Sequence, residues 1–129
     1  MAIYGGVSKY AQLMKMHAGV SLLIACPGRL MDYLDSAKTN LRKCTFVCLD
    51  EADRMLDMGF EKDIRKIIGK VTNGMTRQTL MFSATWPKEI RKIASEFCTR
   101  NPVHIKIGET DSNNTVKGLT VNTDITQEI

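Results

Sequence analysis

Short apolar runs of strand length alternate with helix-patterned segments along this chain, and that alternation restricts its fold more than any other feature. Strands separated by helices are joined as βαβ units, whose crossovers set successive strands parallel. Ile3-Tyr4 leads into Gly5-Gly6; Tyr10, Leu13, Met14 and His17 then recur at helical spacing, and Gly19 closes that helix. Residues 21–25 read as a second strand, and Pro27 opens a helix with Leu30, Met31 and Leu34 on one face. Residues 45–49 form a continuous apolar run, as expected of a strand covered on both faces, with Asp50 at its carboxyl end. Phe60, Ile64, Ile67, Ile68 and Val71 mark the next helix, and residues 79–82 the next strand. Pro87 opens a helix with Ile90, Ile93, Ala94 and Phe97 on its buried side and Lys88, Glu89, Arg91 and Lys92 on its wet side. Pro102 stops it, and residues 103–107 predict a further strand. Residues 108–115 read as a loop or linker before a last strand around 119–124. The expected class is α/β, a parallel sheet flanked by helices.

With 129 residues, 43% of them hydrophobic and 25% charged, the chain has the size and composition of one folded domain with a core of its own. Its longest apolar run, residues 22–26, is far short of a membrane span, and no basic segment precedes Met1-Ala2-Ile3; neither a transmembrane helix nor a secretory signal is expected. The four cysteines, at 26, 44, 48 and 98, lack zinc-site spacing. Cys44 and Cys48 lie in a strand-like run, roughly 13 Å apart and out of bridging range. Reduced, mostly buried thiols in an intracellular compartment are expected. Structural or surface roles are expected for His17 and His104, core filling for the methionines, a packing role for Trp86 and a solvated face for Lys62, Arg65, Lys66 and Lys70.

The net charge of +4 is unevenly placed: residues 1–49 carry six basic and two acidic side chains, and residues 50–129 carry twelve of each. A basic face of this kind attracts a polyanion, although solvated lysines on helices give the same count.

Three polar groups fall just after strand carboxyl ends, where an open α/β sheet collects its functional residues: Cys26-Pro27-Gly28-Arg29-Leu30, Asp50-Glu51-Ala52-Asp53 and Ser83-Ala84-Thr85. An apolar strand ending in Asp-Glu fits a Walker B arrangement, in which the Asp holds magnesium and the Glu activates the water attacking a γ-phosphate. The same residues fit a helix start, with Asp50 as cap and Glu51 and Asp53 favouring the positive terminus.

Asp50-Glu51-Ala52-Asp53, continued by Arg54-Met55-Leu56-Asp57-Met58-Gly59-Phe60, resembles the signature of the DEAD-box RNA helicase family. Pro27-Gly28-Arg29-Leu30 before it, Ser83-Ala84-Thr85 after it and Tyr4-Gly5-Gly6 near the start resemble further motifs of that family, in the family's order. The resemblance implies part of a RecA-like (P-loop NTPase) domain using Mg2+ and ATP. Asp50 would hold magnesium through water, Glu51 would be the catalytic base, and Asp53 would link the nucleotide site to the Ser83-Ala84-Thr85 coupling segment. Gly5, Gly6, Pro27, Gly28 and Arg29 would contact the RNA backbone without reading bases. Glycine admits close approach of main-chain N–H groups to phosphate, and Arg29 could bind one in bidentate fashion.

Two departures qualify the resemblance. Cys26 stands where the family has Thr, removing one hydroxyl donor to phosphate. No G-x-x-x-x-G-K-[ST] loop and no preceding adenine-recognition segment occur in these residues. The expectation is a partial ATP-binding domain over residues 1–108, with 109–129 leading toward a second helicase domain, and negligible ATPase activity for this stretch alone. A non-catalytic RNA-binding module and a protein-interaction scaffold are the alternatives. An intracellular place, nucleus or cytoplasm, is expected.

Overall fold

Two parallel strand pairs and five helices carry the architecture of the computed structural model, which describes residues 1–72, 76–98 and 101–107. The order is β1 (Ala2–Ile3), α1 (Lys9–His17), β2 (Ile24–Ala25), α2 (Pro27–Asp35), β3 (Phe46–Leu49), α3 (Ala52–Asp57), α4 (Glu61–Lys70), β4 (Gln78–Met81) and α5 (Lys88–Phe97). β1 pairs with β2, and β3 with β4, both in parallel. The expected parallel pairing is present, but the two ladders do not hydrogen-bond to each other among the described residues.

The helix signals work where they were expected. Ser8 Oγ accepts the Ala11 N–H at 3.5 Å to start α1, and Gly19, at φ +93°, follows its last turn. Pro27 occupies the first turn of α2, where its missing N–H costs nothing. Phe60, expected within the helix that Ile64, Ile67 and Ile68 mark, is instead the cap of α4, because Gly59 at φ +80° turns the chain between α3 and α4.

Two apolar clusters form the core. Ile3, Leu30, Met31, Tyr33 and Leu34 make the first, with Leu13, Met16, Leu23 and Ile67 against it; Ile64, Ile68, Ile93 and Phe97 make the second, with Val47, Leu49, Phe60 and Met81 against it. Helix α4 serves both clusters, since Ile67 lies three residues from Ile64 and one from Ile68. Buried Arg77 closes the lower end: Nε donates to Thr79 Oγ1 at 3.0 Å, Nη1 to the carbonyls of Ile68 and Thr72, both at 3.5 Å, and Nη2 to the Phe97 carbonyl at 3.3 Å. It thereby meets the negative carboxyl ends of α4 and α5 at once, which offsets the cost of burying its charge.

Several expectations are corrected. Residues 101–107 form no strand: Val103, Ile105 and Ile107 are 87%, 77% and 94% exposed, with no paired neighbour among the described residues. Alternating residues become a strand only when a partner edge takes up the backbone groups. In α1, Tyr10, Met14 and His17 are exposed, and the inner face is Gln12, Leu13 and Met16. β3 is not covered on both faces, because Phe46 and Cys48 are exposed. None of the cysteines is fully buried: Cys26 and Cys48 are exposed, Cys44 and Cys98 half-buried, and all four are free thiols. Desolvation pushes the Cys48 and Cys98 thiols up, keeping them protonated. Trp86 is exposed and tilts against the His104 ring at 4.7 Å. Arg65 is half-buried rather than solvated, pairing with Glu61 at 2.9 Å and with Glu96 of α5. The expected linker at 108–115, the last strand at 119–124 and the 109–129 segment lie outside the described residues.

Ile64 is 4% exposed at the centre of the second cluster, so Ile64→Ala should lower stability by roughly 2–5 kcal/mol. Met58→Ala, at an exposed position, should stay within about 0.5 kcal/mol. Urea unfolding of the two variants checks both; equal midpoints would show that α4 does not organise the core.

Candidate functional site

Pairing of Phe46 with Gln78 through Leu49 with Met81 brings β3 and β4 to the same edge. The ladder runs on past the strands: the Phe82 N–H donates to the Leu49 carbonyl at 2.8 Å and the Ala52 N–H to the Phe82 carbonyl at 3.0 Å. The acidic loop after β3 is therefore held against the loop after β4. Glu51 adopts φ +50°, a left-handed conformation uncommon for a residue with a Cβ, and from it the chain turns sharply into α3.

Asp53 is the junction. Its Oδ2 accepts both the Thr85 N–H and the Thr85 hydroxyl, each at 2.8 Å, while its own N–H donates to Ser83 Oγ at 3.2 Å. Asp53, Ser83 and Thr85 are thus brought together across a separation of about thirty residues. The Thr85 hydroxyl, aided by the Thr85 and Arg54 N–H groups and by Ser83, holds the Asp53 carboxyl below its ordinary 3.8. Ala84 lines the adjoining cleft of about 340 Å³ with Glu51, Asp53, Arg54 and Asp57.

Asp50 and Glu51 stand at the same edge. Asp50 Oδ1 accepts the Glu51 N–H at 3.0 Å, and Glu51 Oε2 pairs with Arg54 Nη1 at 3.1 Å, in an exposed setting. Arg54 was not singled out from the sequence; its spacing of three from Glu51 on a helical turn is the signal that could have found it. Among the described residues, no cluster of three or more His, Cys, Asp or Glu side chains could hold a metal by itself.

The second group lies at the end of the β1–β2 ladder. The Cys26 N–H donates to the Ile3 carbonyl at 3.0 Å, which sets the Pro27-Gly28-Arg29 start of α2 beside the Gly5-Gly6 turn. Gly6 needs its glycine, at φ +77°. A side chain on Gly28 would meet Phe60 in ordinary contact at 3.8 Å. Arg29 departs from expectation. It is only 8% exposed, and Nη1 and Nη2 both donate to the Val7 carbonyl at 3.1 and 3.2 Å. A guanidinium spent on a backbone carbonyl is not an open fork for phosphate.

The site defines a class first: parallel strands whose carboxyl ends gather an acidic loop and a Ser-Ala-Thr loop into one hydrogen-bonded edge. The chain matches the DEAD/DEAH box helicase family over residues 1–93, and it belongs to that family. It is 54% identical over 118 residues to a probable ATP-dependent RNA helicase, ddx17, of Dictyostelium discoideum, covering 91% of this chain and 15% of that protein. It is 56% identical over 109 residues to the ATP-dependent RNA helicase dbp2 of Neurospora crassa, covering 84% and 19%. The chain therefore spans less than one fifth of the length of these relatives. The fold is RecA-like: the yeast DEAD-box splicing factor Prp28 superposes with a TM-score of 0.70 at 37% identity, over 76% of this chain and 22% of that one. A DEAD box protein of Methanococcus jannaschii gives 0.70 at 36% identity, over 77% and 26%.

Because the folded-state Asp53 carboxyl is lowered, its contribution to stability is complete above 3.8 and is lost as the pH falls through the lowered folded value. Thr85→Val removes the hydroxyl and keeps the N–H, so Asp53 should titrate closer to 3.8. A carbon-detected NMR titration of the Asp53 carboxyl checks this; an unmoved midpoint would show that the hydroxyl does not hold it.

Proposed function

We propose that this chain supplies the acidic-loop side of the nucleotide site, the coupling segment and part of the RNA surface of an ATP-dependent RNA helicase. The observation that carries the reading is the double hydrogen bond from Thr85 to Asp53, at the edge where Asp50 and Glu51 also stand. In this reading residues 1–108 belong to the ATP-binding domain, and 109–129 lead toward a second helicase domain.

Asp50 fits magnesium by its donor chemistry. One carboxylate oxygen takes the Glu51 N–H, no hydrogen bond to the other is present among the described residues, and Mg2+ favours one or two carboxylates with waters and substrate phosphates. When bound, Mg2+ with ATP would neutralise charge on the phosphates. Glu51 presents a carboxylate one residue further on, able to orient a water and take its proton, with Arg54 holding one oxygen and no partner to the other among the described residues. Asp53 transmits any movement of this loop to Ser83, Ala84 and Thr85, because its hydrogen bonds break unless the segment follows. The turn of Gly5 and Gly6, with Pro27 and Gly28 beside it, would take RNA phosphates through main-chain N–H groups, without base readout.

The 129 residues contain no phosphate-cradling G-x-x-x-x-G-K-[ST] segment, so ATP turnover by this chain alone should stay at background. Exchanging residues 1–107 for the matching segment of a full-length DEAD-box helicase should preserve RNA-stimulated ATP hydrolysis. Glu51→Gln within that exchange should then lower kcat at least about 100-fold. An exchanged protein that binds ATP and RNA but hydrolyses equally fast with Glu51→Gln would sink the reading.

A further inference from the structure

The segment from Tyr4 to Lys9 has no apolar anchor: Tyr4 and Val7 are exposed, and a Cβ on either Gly5 or Gly6 would meet no atom within 4 Å. Two of its main-chain carbonyls, and that of Lys9 where the segment enters α1, are nevertheless held by side chains from α1 and α2. Gln12 Nε2 donates to the Tyr4 carbonyl at 3.0 Å, and the Tyr4 N–H returns a bond to Gln12 Oε1 at 3.3 Å. Arg29 donates twice to the Val7 carbonyl, and the Tyr33 hydroxyl donates to the Lys9 carbonyl at 2.8 Å. A salt bridge of 2.8 Å from Lys9 to Asp32 closes the set. Gln12, Arg29 and Tyr33 are 7%, 8% and 3% exposed, so their polar atoms are buried toward this loop.

Burying a guanidinium, an amide and a phenol costs free energy unless each finds a partner, and here most of the partners are backbone groups of one exposed segment. The N–H groups of Gly5, Gly6 and Val7, by contrast, have no acceptor among the described residues. The loop is held by its carbonyls and open at its donors, which is the arrangement that receives an anion on main-chain N–H groups.

We propose that Gln12, Arg29 and Tyr33 are positioning residues, which hold the Tyr4, Val7 and Lys9 carbonyls so that the N–H groups of Gly5, Gly6 and Val7 meet a phosphodiester backbone. Arg29 acts through the loop and does not touch the nucleic acid. The assignment rests on the RNA-surface reading above.

The test uses the full 129-residue chain with a 12-nucleotide oligouridine, titrated at several salt concentrations, and reads the backbone order of Gly5 and Gly6 by 15N relaxation. Gln12→Ala and Tyr33→Phe should each weaken binding roughly 3- to 10-fold and lower the order of Gly6, with the slope of affinity against salt unchanged. Arg29→Met should weaken binding at the same slope, because no phosphate contact is removed; direct contact would lower the slope by about one. Tyr33→Phe keeps the core shape, so the test survives if Arg29→Met does not fold. A slope lowered by about one in Arg29→Met with Gly6 order unchanged, or wild-type affinity in both Gln12→Ala and Tyr33→Phe, would overturn the assignment while leaving RNA binding in place. Wild-type chain without salt-dependent oligouridine binding would overturn the RNA-surface reading itself.

Discussion

The in-register parallel pairing of β3 with β4 is the constraint on which the site depends. Because both strands run the same way and end level, the loops that follow them emerge side by side, and two further backbone hydrogen bonds extend the pairing into those loops. A slip of β4 by one residue would turn Met81 away from the Ile64, Ile68 and Ile93 cluster, against which Val47 and Leu49 of β3 also pack, and bring Leu80 inward. It would also carry Thr85 about 3.3 Å along the strand, beyond the reach of Asp53. The core therefore enforces the register, and the register assembles the site.

Helix α4 and Arg77 give that pairing its support. The helix presents Ile67 to one cluster and Ile64 and Ile68 to the other, so the two ladders share a packed element even though they share no backbone bonds among the described residues. Arg77 stands just before β4 and ties its start to the carboxyl ends of α4 and α5. Strand β4 and helices α4 and α5 are thus linked by burial and by charge meeting helix dipoles. No buried side-chain nitrogen or oxygen among the described residues is left without a partner, which is the condition for keeping a buried arginine at all.

Most of the elements were legible because they are set by local periods. The Ile64, Ile67, Ile68 stripe and the Ile90, Ile93, Ala94, Phe97 stripe sit within their helices, and both proline starts and the Gly19 stop fall where they were read. Legibility fails where a partner decides the outcome. Residues 103–107 alternate like a strand, yet an alternating segment needs an edge to pair with. Gln12 lies outside the stripe read for α1, and it turns inward because the Tyr4 backbone offers its amide both a donor and an acceptor. Tyr10 and Met14 are correspondingly left outside.

The residues by themselves determined the alternating α/β order, the position of the acidic loop at a strand end and the resemblance to one helicase family. All of these follow from local spacing or from contiguous motifs. Tertiary structure alone decided that Asp53 binds Thr85 with two donors, that Glu51 takes a left-handed turn beside Arg54 and that Arg29 points inward to Val7. The physical reason is that a charged or polar side chain goes to whichever partner best offsets its desolvation. For Arg29 the Asp32 carboxylate, three residues on and 3.8 Å from Nε, is joined by a carbonyl twenty-two residues away, one among many acceptors that no spacing in the sequence distinguishes.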